Sequence, residues 1–271
     1  MVKAFIKHVL GVDSGHRGIY GETGAYYGTV EQQGRLTLHL HLLLYIKGAL
    51  PPQEIRNRLM TRGSDFERSL IAYLEAVHVG EFHNGDLATV PTDTDSTYQN
   101  PTLTMPVPPP SRCKDNKCSE CKHCLRLTDW WSKFWETTDD LMVKSNVHTH
   151  HRAHELTAKE RRAKVTKGMK VKSQGAKGCL NKDGVCTARF PREIFPKSVV
   201  DYSDGSLNVK KLESEINNVT PMLTYCLRCN TDVTSLLSGT AIKAIVAYIS
   251  DYVSKASLKS YQVFSSVYDV L

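Results

Sequence analysis

Three sets of residues in this chain have the types and spacing to do chemistry. The first lies in YYGTVEQQGRLTLHLHLLLYI (residues 26–46), where His39 and His41 alternate with Leu38, Leu40 and Leu42. In a strand this alternation sends both imidazoles to one face and the leucines to the other. An isolated His-x-His is more often a satisfied pair in a half-buried sheet than a ligand pair. Here a carboxylate lies within reach: Glu31 precedes a turn at Gly34 and comes diagonally across from His39 if it pairs near Thr37. The alternative register turns Glu31 away. Two imidazoles and a carboxylate suit Mg²⁺ or Mn²⁺ when phosphate oxygens complete the shell. A His₂Glu zinc site is the chemical alternative, although the helical H-E-x-x-H pattern is absent.

The second set sits in AYISDYVSK, where Tyr248 and Tyr252 are four residues apart and Lys255 follows. On a helix this spacing puts both phenols on one face. Such pairs more often pack or hydrogen-bond than react. Their chemical alternative is nucleophilic: a tyrosine oxygen attacks a phosphodiester and holds the strand covalently. A metal would offset the charge developing on the phosphate, and Lys255 would add to that field.

The third set is metal-binding. CKDNKCSECKHC supplies Cys113, Cys118, Cys121 and Cys124, spaced C-x4-C-x2-C-x2-C, with His123 as a further donor. Four thiolates this close suit one Zn²⁺. The cluster could also divide between two ions. Cys179 and Cys186 form a second group with His148 and either His150 or His151, and His154 is a further option. Cys226 and Cys229 are a bare C-x2-C that packing explains as well as metal binding does.

The elements that must position these groups can be read in outline. AYYGTVEQ and LTLHLHLLLYI read as an antiparallel hairpin, and residues 51–81 as helical. RLTDWWSKFWETTDDLMVKSNV and GTAIKAIVAYISDYVSKAS also carry helical patterns. Three tryptophans and a phenylalanine in DWWSKFWE could stack on bases, but burial in a small metal-supported core is the preferred reading. By composition the chain divides into 1–83, a partial core with the histidine hairpin, and 84–112, a Pro/Thr-rich linker. Residues 113–195 are a Cys/His-rich insertion, and 196–271 carry the two-tyrosine helix.

The 271 residues include 41% hydrophobic types, enough for a packed core, and a formal charge of +7 that favours an anionic partner. Lys159, Arg161, Arg162, Lys164, Lys167, Lys170 and Lys172 form a basic segment suited to a nucleic-acid backbone, or a solvated loop. Clustered cysteines without a convincing signal peptide point to an intracellular chain, nuclear if its source is eukaryotic. No stretch reaches the roughly 18 apolar residues of a membrane span. An ordinary hydrolytic zinc enzyme is disfavoured because the cysteine groups lack an open-site pattern.

Together, YYGTVEQQGRLTLHLHLLLYI, CLNKDGVCTARFPRE and RCNTDVTSLLSGTAIKAIVAYISDYVSKASL resemble the N-terminal helitron helicase-like region of Helitron-type rolling-circle transposases. That region is similar to the HUH endonucleases. The resemblance implies an α+β fold, with an HUH-type antiparallel sheet, flanking helices and a zinc-supported insertion that recognises DNA. It makes His39, His41 and Glu31 ligands of Mg²⁺ or Mn²⁺, Tyr248 and Tyr252 nucleophiles, and Lys255 their companion. The partners implied are single-stranded DNA, namely transposon ends, and no membrane. Relatives often place a cysteine shortly after the first histidine, where this chain has His150 or His151. The strand expected before the histidine hairpin is not legible, and no G-x-x-x-x-G-K-[ST] loop marks the helicase of a complete transposase. The expectation is therefore a shortened transposase with a sheet incomplete at its N-terminal side. The competing expectations are a noncatalytic zinc-supported DNA-binding remnant and a structural or protein-interaction domain.

Overall fold

The computed structural model describes residues 2–32, 38–90, 98–115, 118–150 and 178–254. In chain order its elements begin with α1 (Val2–His8), β1 (Thr23–Gln32), β2 (Leu38–Ile46), α2 (Pro52–Leu59) and α3 (Asp65–Val77). A 3₁₀ turn at Pro101–Leu103 precedes α4 (Lys122–Ser145), β3 (Val199–Asp201), β4 (Ser206–Asn208), α5 (Pro221–Leu227) and α6 (Gly239–Ser254). The chain forms two compact units. The first draws on Met1–Glu67, Val200–Leu207 and Ser235–Leu271, and the second on Arg68–Val199 and Asn208–Thr234. Compositional shifts divide the chain differently, because residues 68–83 and 208–234 belong with the cysteine-rich stretch.

In the first unit β1 and β2 pair antiparallel, and among the described residues their sheet has two strands. The tyrosines, threonines and valine of β1 and the leucine-rich β2 suit a pleated surface. Tyr26, Tyr27, Val30, Leu38 and Tyr45 remain exposed on this ribbon. Among the described residues β3 and β4 form a second two-stranded sheet, so the observed architecture is two two-stranded sheets with helices, coarser than the HUH-type sheet the resemblance implies.

The helical reading of residues 51–81 resolves into two helices. Pro52 starts α2 in the first turn, where its missing N–H costs no intrahelical bond. Gly63, at φ +69°, then breaks the run. Ser64-Asp-Phe-Glu67 restarts it: the Glu67 N–H donates to Ser64 Oγ at 3.1 Å, and Glu67 Oε2 accepts from the Gly63 N–H at 2.6 Å. This is a variant of the reciprocal capping that satisfies the first amides of a helix. The other Glu67 oxygen accepts from the Tyr202 hydroxyl at 2.7 Å, and the Arg62 guanidinium covers the Tyr202 ring at 4.6 Å. Gly205 closes the turn after Tyr202 at φ +69°, where a Cβ would lie 2.3 Å from the Arg56 carbonyl oxygen. Only glycine fits there.

The second unit is built on α4. Trp130 and Phe134 bury against Tyr225 of α5, with ring centroids 5.8 and 4.7 Å from it. Burial of each such ring stabilises the unit by about 2–3 kcal/mol. The preferred core role for DWWSKFWE therefore holds for Trp130 and Phe134, whereas Trp131 is exposed. The Pro/Thr-rich stretch is anchored rather than free where it is described. The Val107 carbonyl accepts from Trp130 Nε1 at 2.9 Å and from the Tyr225 hydroxyl at 3.0 Å. About two turns further along α4, Met142 joins Phe82, Val90, Ile216 and Val219 in a second cluster.

Between these clusters Asp139 is only 2% exposed. Its carboxylate accepts from the His83 N–H at 2.9 Å and from both the Asn84 N–H and Asn84 Nδ2 at 2.8 Å. A buried carboxylate is tolerated because three donors converge on it. Asp139→Ala is expected to destabilise the protein by about 3 kcal/mol, since it strands those amides. Asp139→Asn, which keeps one acceptor oxygen, should cost less. Urea unfolding followed by tryptophan fluorescence measures both.

Candidate functional site

Strand register decides what the histidine face contains. Glu31 pairs with His39 and Thr29 with His41, so all four side chains share one face. The pairing is two residues displaced from the expected partner of Glu31 near Thr37. Because the displacement is even, Glu31 stays on the histidine side. Its Oε2 lies 3.4 Å from His41 Nε2, diagonally across the ladder. The His39 and His41 rings are 4.5 Å apart between centroids. His41 is the more enclosed of the two, with a side chain 13% exposed, while His39 faces solvent.

Helix α6 brings a phenol to this face. The Tyr248 ring meets the His41 ring edge-on, with centroids 5.4 Å apart and planes at 74°. Tyr248 is itself 44% exposed. Tyr252 lies one turn further along α6, but its side chain is outside the described residues, as is Lys255. The structure thus joins Glu31, His39, His41 and Tyr248 in one neighbourhood.

The donor types suit Mg²⁺ or Mn²⁺ in part, since two imidazoles and one carboxylate leave most of an octahedral shell to waters and phosphate oxygens. Their spacing is open. Among the described residues, the sets of three or more donors whose ligand atoms all lie within 4.8 Å of one another are two others, both containing cysteine.

The first of these sets is Cys113, Cys118, Cys121 and Cys124. Cys121 and Cys124 Sγ atoms are 3.7 Å apart. A zinc–thiolate tetrahedron has edges of about 3.8 Å, from Zn–S bonds near 2.3 Å. Cys121 caps the N-terminus of α4, and Cys124 lies in its first turn. The cluster accepts negative charge unevenly. The Cys124 N–H, with further help from neighbouring donors, lowers Cys121 to about 6. Desolvation, reinforced by the adjacent thiols, pushes Cys124 up to about 12. Cys113 also lies above its usual range. His123 is not among the grouped donors.

The second set is His148, His150, Cys179 and Cys186. Cys186 Sγ lies 3.4 Å from His148 Nε2, and Cys179 Sγ lies 4.0 Å from His150 Nδ1. Both approach the roughly 3.6 Å expected between sulfur and nitrogen on one zinc. Among the described residues His150 groups with the cysteines; His151 and His154 lie outside the described residues. A tight turn supports the cysteines, with Thr187 N–H donating to the Cys179 carbonyl at 2.7 Å. Sequence reasoning missed Phe190, which stacks on His148 at 4.2 Å with planes 8° apart. Its place four residues after Cys186, beside Pro191, was the only available signal.

Cys226 and Cys229 are exposed and belong to neither set. The basic residues Lys159, Arg161, Arg162, Lys164, Lys167, Lys170 and Lys172 lie outside the described residues. No described helix is long and apolar enough to cross a membrane.

Residues 1–44 match a family model described as the Helitron helicase-like domain at the N-terminus. The match takes in Glu31, His39 and His41 and ends before the cysteine groups and α6. No curated protein and no solved structure matches the chain.

Zinc binding to the Cys₄ set must displace the protons that Cys113 and Cys124 hold near neutrality, whereas Cys121 is already largely ionised above about 6. Affinity therefore rises with pH and falls as pH drops. Each thiol proton displaced on binding contributes roughly a tenfold change in apparent affinity per pH unit. Competition with a chromophoric chelator between pH 6.5 and 7.5 checks the slope. Cys121→Ser should reduce the zinc content by one ion per chain.

Proposed function

We propose that the chain is a metal-dependent module for nicking and transferring single-stranded DNA, working through a phosphotyrosine intermediate in rolling-circle transposition. The observation that carries this reading is the meeting of Tyr248 with His41 on a strand face that also holds His39 and Glu31. A phenol beside a metal-ligand face is the minimal arrangement for tyrosine attack on a phosphodiester. The partial match to the Helitron helicase-like model supports the same class.

In this reading His39, His41 and Glu31 hold Mg²⁺ or Mn²⁺, which when bound polarises the scissile phosphate. The remaining work falls to the chain. The β1–β2 register keeps the ligand face continuous, and the Glu31–His41 contact limits imidazole rotation. Tyr248 Oη forms the new P–O bond as its proton leaves. The bond from phosphorus to the departing 3′ oxygen breaks, and that oxygen takes up a proton to become a free 3′-hydroxyl. The DNA 5′ end stays on the tyrosine, so the phosphodiester energy is conserved for rejoining without ATP. Tyr252 acts at the second DNA boundary, and Lys255 adds positive charge near the phosphate. The two Cys/His sets hold Zn²⁺ and brace the part that recognises DNA, with the basic segment 159–172 along the phosphate backbone.

One observation favours a second reading. The cysteine-containing sets have the compact spacing of a metal site, and the histidine face does not. A zinc-supported DNA-binding module without nicking activity would show that pattern.

The two readings part in one assay. Incubating the chain with labelled single-stranded oligonucleotides and Mn²⁺ should yield a denaturation-resistant protein–DNA adduct. Tyr248→Phe with Tyr252→Phe should abolish it. His41→Ala should slow its formation by about 100-fold, a typical loss for removing one transition-state electrostatic group, with zinc content unchanged. Bound zinc and DNA retention without any metal-dependent adduct would favour the second reading.

A further inference from the structure

The residues after β4 contribute a group to the His148/His150/Cys179/Cys186 set that its spacing in sequence does not announce. Glu215 Oε2 lies 3.5 Å from His150 Nε2. That oxygen is closed off from solvent and accepts no hydrogen bond from the described residues. A carboxylate oxygen withdrawn from water without a donor is costly, so a nearby N–H is strongly favoured as its partner. The other ring nitrogen, Nδ1, is the one that lies 4.0 Å from Cys179 Sγ. The two contacts divide the imidazole between a carboxylate and the thiol set.

Glu215 also holds the second histidine. Its backbone carbonyl accepts from the His148 N–H at 2.7 Å. The neighbouring Ser214 carbonyl accepts from the Arg192 N–H at 2.8 Å, and the Arg192 guanidinium covers the Phe190 ring at 4.4 Å. Phe190 in turn stacks on His148. One short segment therefore holds both histidines, His148 by its backbone N–H and His150 by its ring through a carboxylate.

We infer that Glu215 is a positioning residue for a Zn²⁺ ion at this set, fixing His150 as the Nε2–H tautomer so that Nδ1 faces the metal. The inference rests on reading these four residues as a zinc site. Carboxylates that receive the far N–H of a ligating histidine orient the ring and raise its basicity. Two thiolates already balance the charge of Zn²⁺, so Glu215 adds net attraction for a cation beyond the ligands themselves. The Cys₄ set has no histidine for such a carboxylate to orient, and its affinity is independent of Glu215.

The test uses the full chain as wild type and as Glu215→Gln, Glu215→Ala and His150→Ala, each loaded with zinc. Metal content, chelator competition and long-range ¹H–¹⁵N spectra of the histidines are recorded. Expected are two zinc ions per wild-type chain, with His150 protonated at Nε2. Glu215→Ala should lower affinity at one of the two sites by about 10- to 100-fold, with Glu215→Gln intermediate and the other site unchanged. Two zinc ions with unaltered affinity in Glu215→Ala, or His150 bound through Nε2, would overturn the role of Glu215 alone. A wild-type chain retaining one zinc would overturn the zinc reading of this set, and the inference with it. Should Glu215→Ala fail to fold, Glu215→Gln affinity and the wild-type tautomer decide the matter.

Discussion

Everything proposed for the first unit depends on the register of one antiparallel strand pair. Pairing of Glu31 with His39 puts an acid and two imidazoles on the same face, and a slip of one residue would send them to opposite sides. The pairing has little help from the flanking surface, because several large side chains of the ribbon remain exposed. Alternation of leucine and histidine in β2 supplies the bias: one face is apolar throughout, the other carries the polar groups. Helix α6 then needs only to approach the polar face for Tyr248 to reach His41.

The second unit meets a different constraint. Its aromatic core around Trp130, Phe134 and Tyr225 organises α4 and α5, but the residues flanking α4 contain little hydrophobic material. At each end of that helix the chain supplies metal donors instead: the Cys₄ set at the start and His148 with His150 just beyond the finish. Small regions that cannot bury enough apolar surface are commonly held by a metal. Asp139 and Lys211 add buried polar joints between loops, and Glu215 a half-buried one. Burial brings the Lys211 ammonium down to about 8, and its Nζ donates to the Ile216 carbonyl and to Asn218 Oδ1.

What could be read from the sequence follows the range of the interactions involved. The histidine strand, the α4 and α6 patterns and the four-cysteine group depend on neighbours a few residues apart, and their placement was legible. The offset between β1 and β2 depends on the conformation of the connecting turn, so only the shared face of Glu31 and His39 was accessible, not their direct pairing. The break between α2 and α3 hinges on Gly63 and a cap at Ser64, which a count of hydrophobic positions overlooks. Anchoring of the Pro/Thr-rich stretch runs through the Val107 carbonyl, a backbone acceptor that no side-chain pattern reveals. The approach of Glu215 to His150 joins segments more than sixty residues apart, which spacing cannot encode.

The shared face of Glu31, His39, His41 and Tyr248 is the feature on which the proposed chemistry stands. Its most direct test is a Mn²⁺ titration of the zinc-loaded chain, followed by paramagnetic broadening of histidine and tyrosine side-chain resonances. Selective broadening of His39 and His41, with Tyr248 affected next, is the result expected of a metal held on that face. Unbroadened His39 and His41 signals at saturating Mn²⁺ would contradict it.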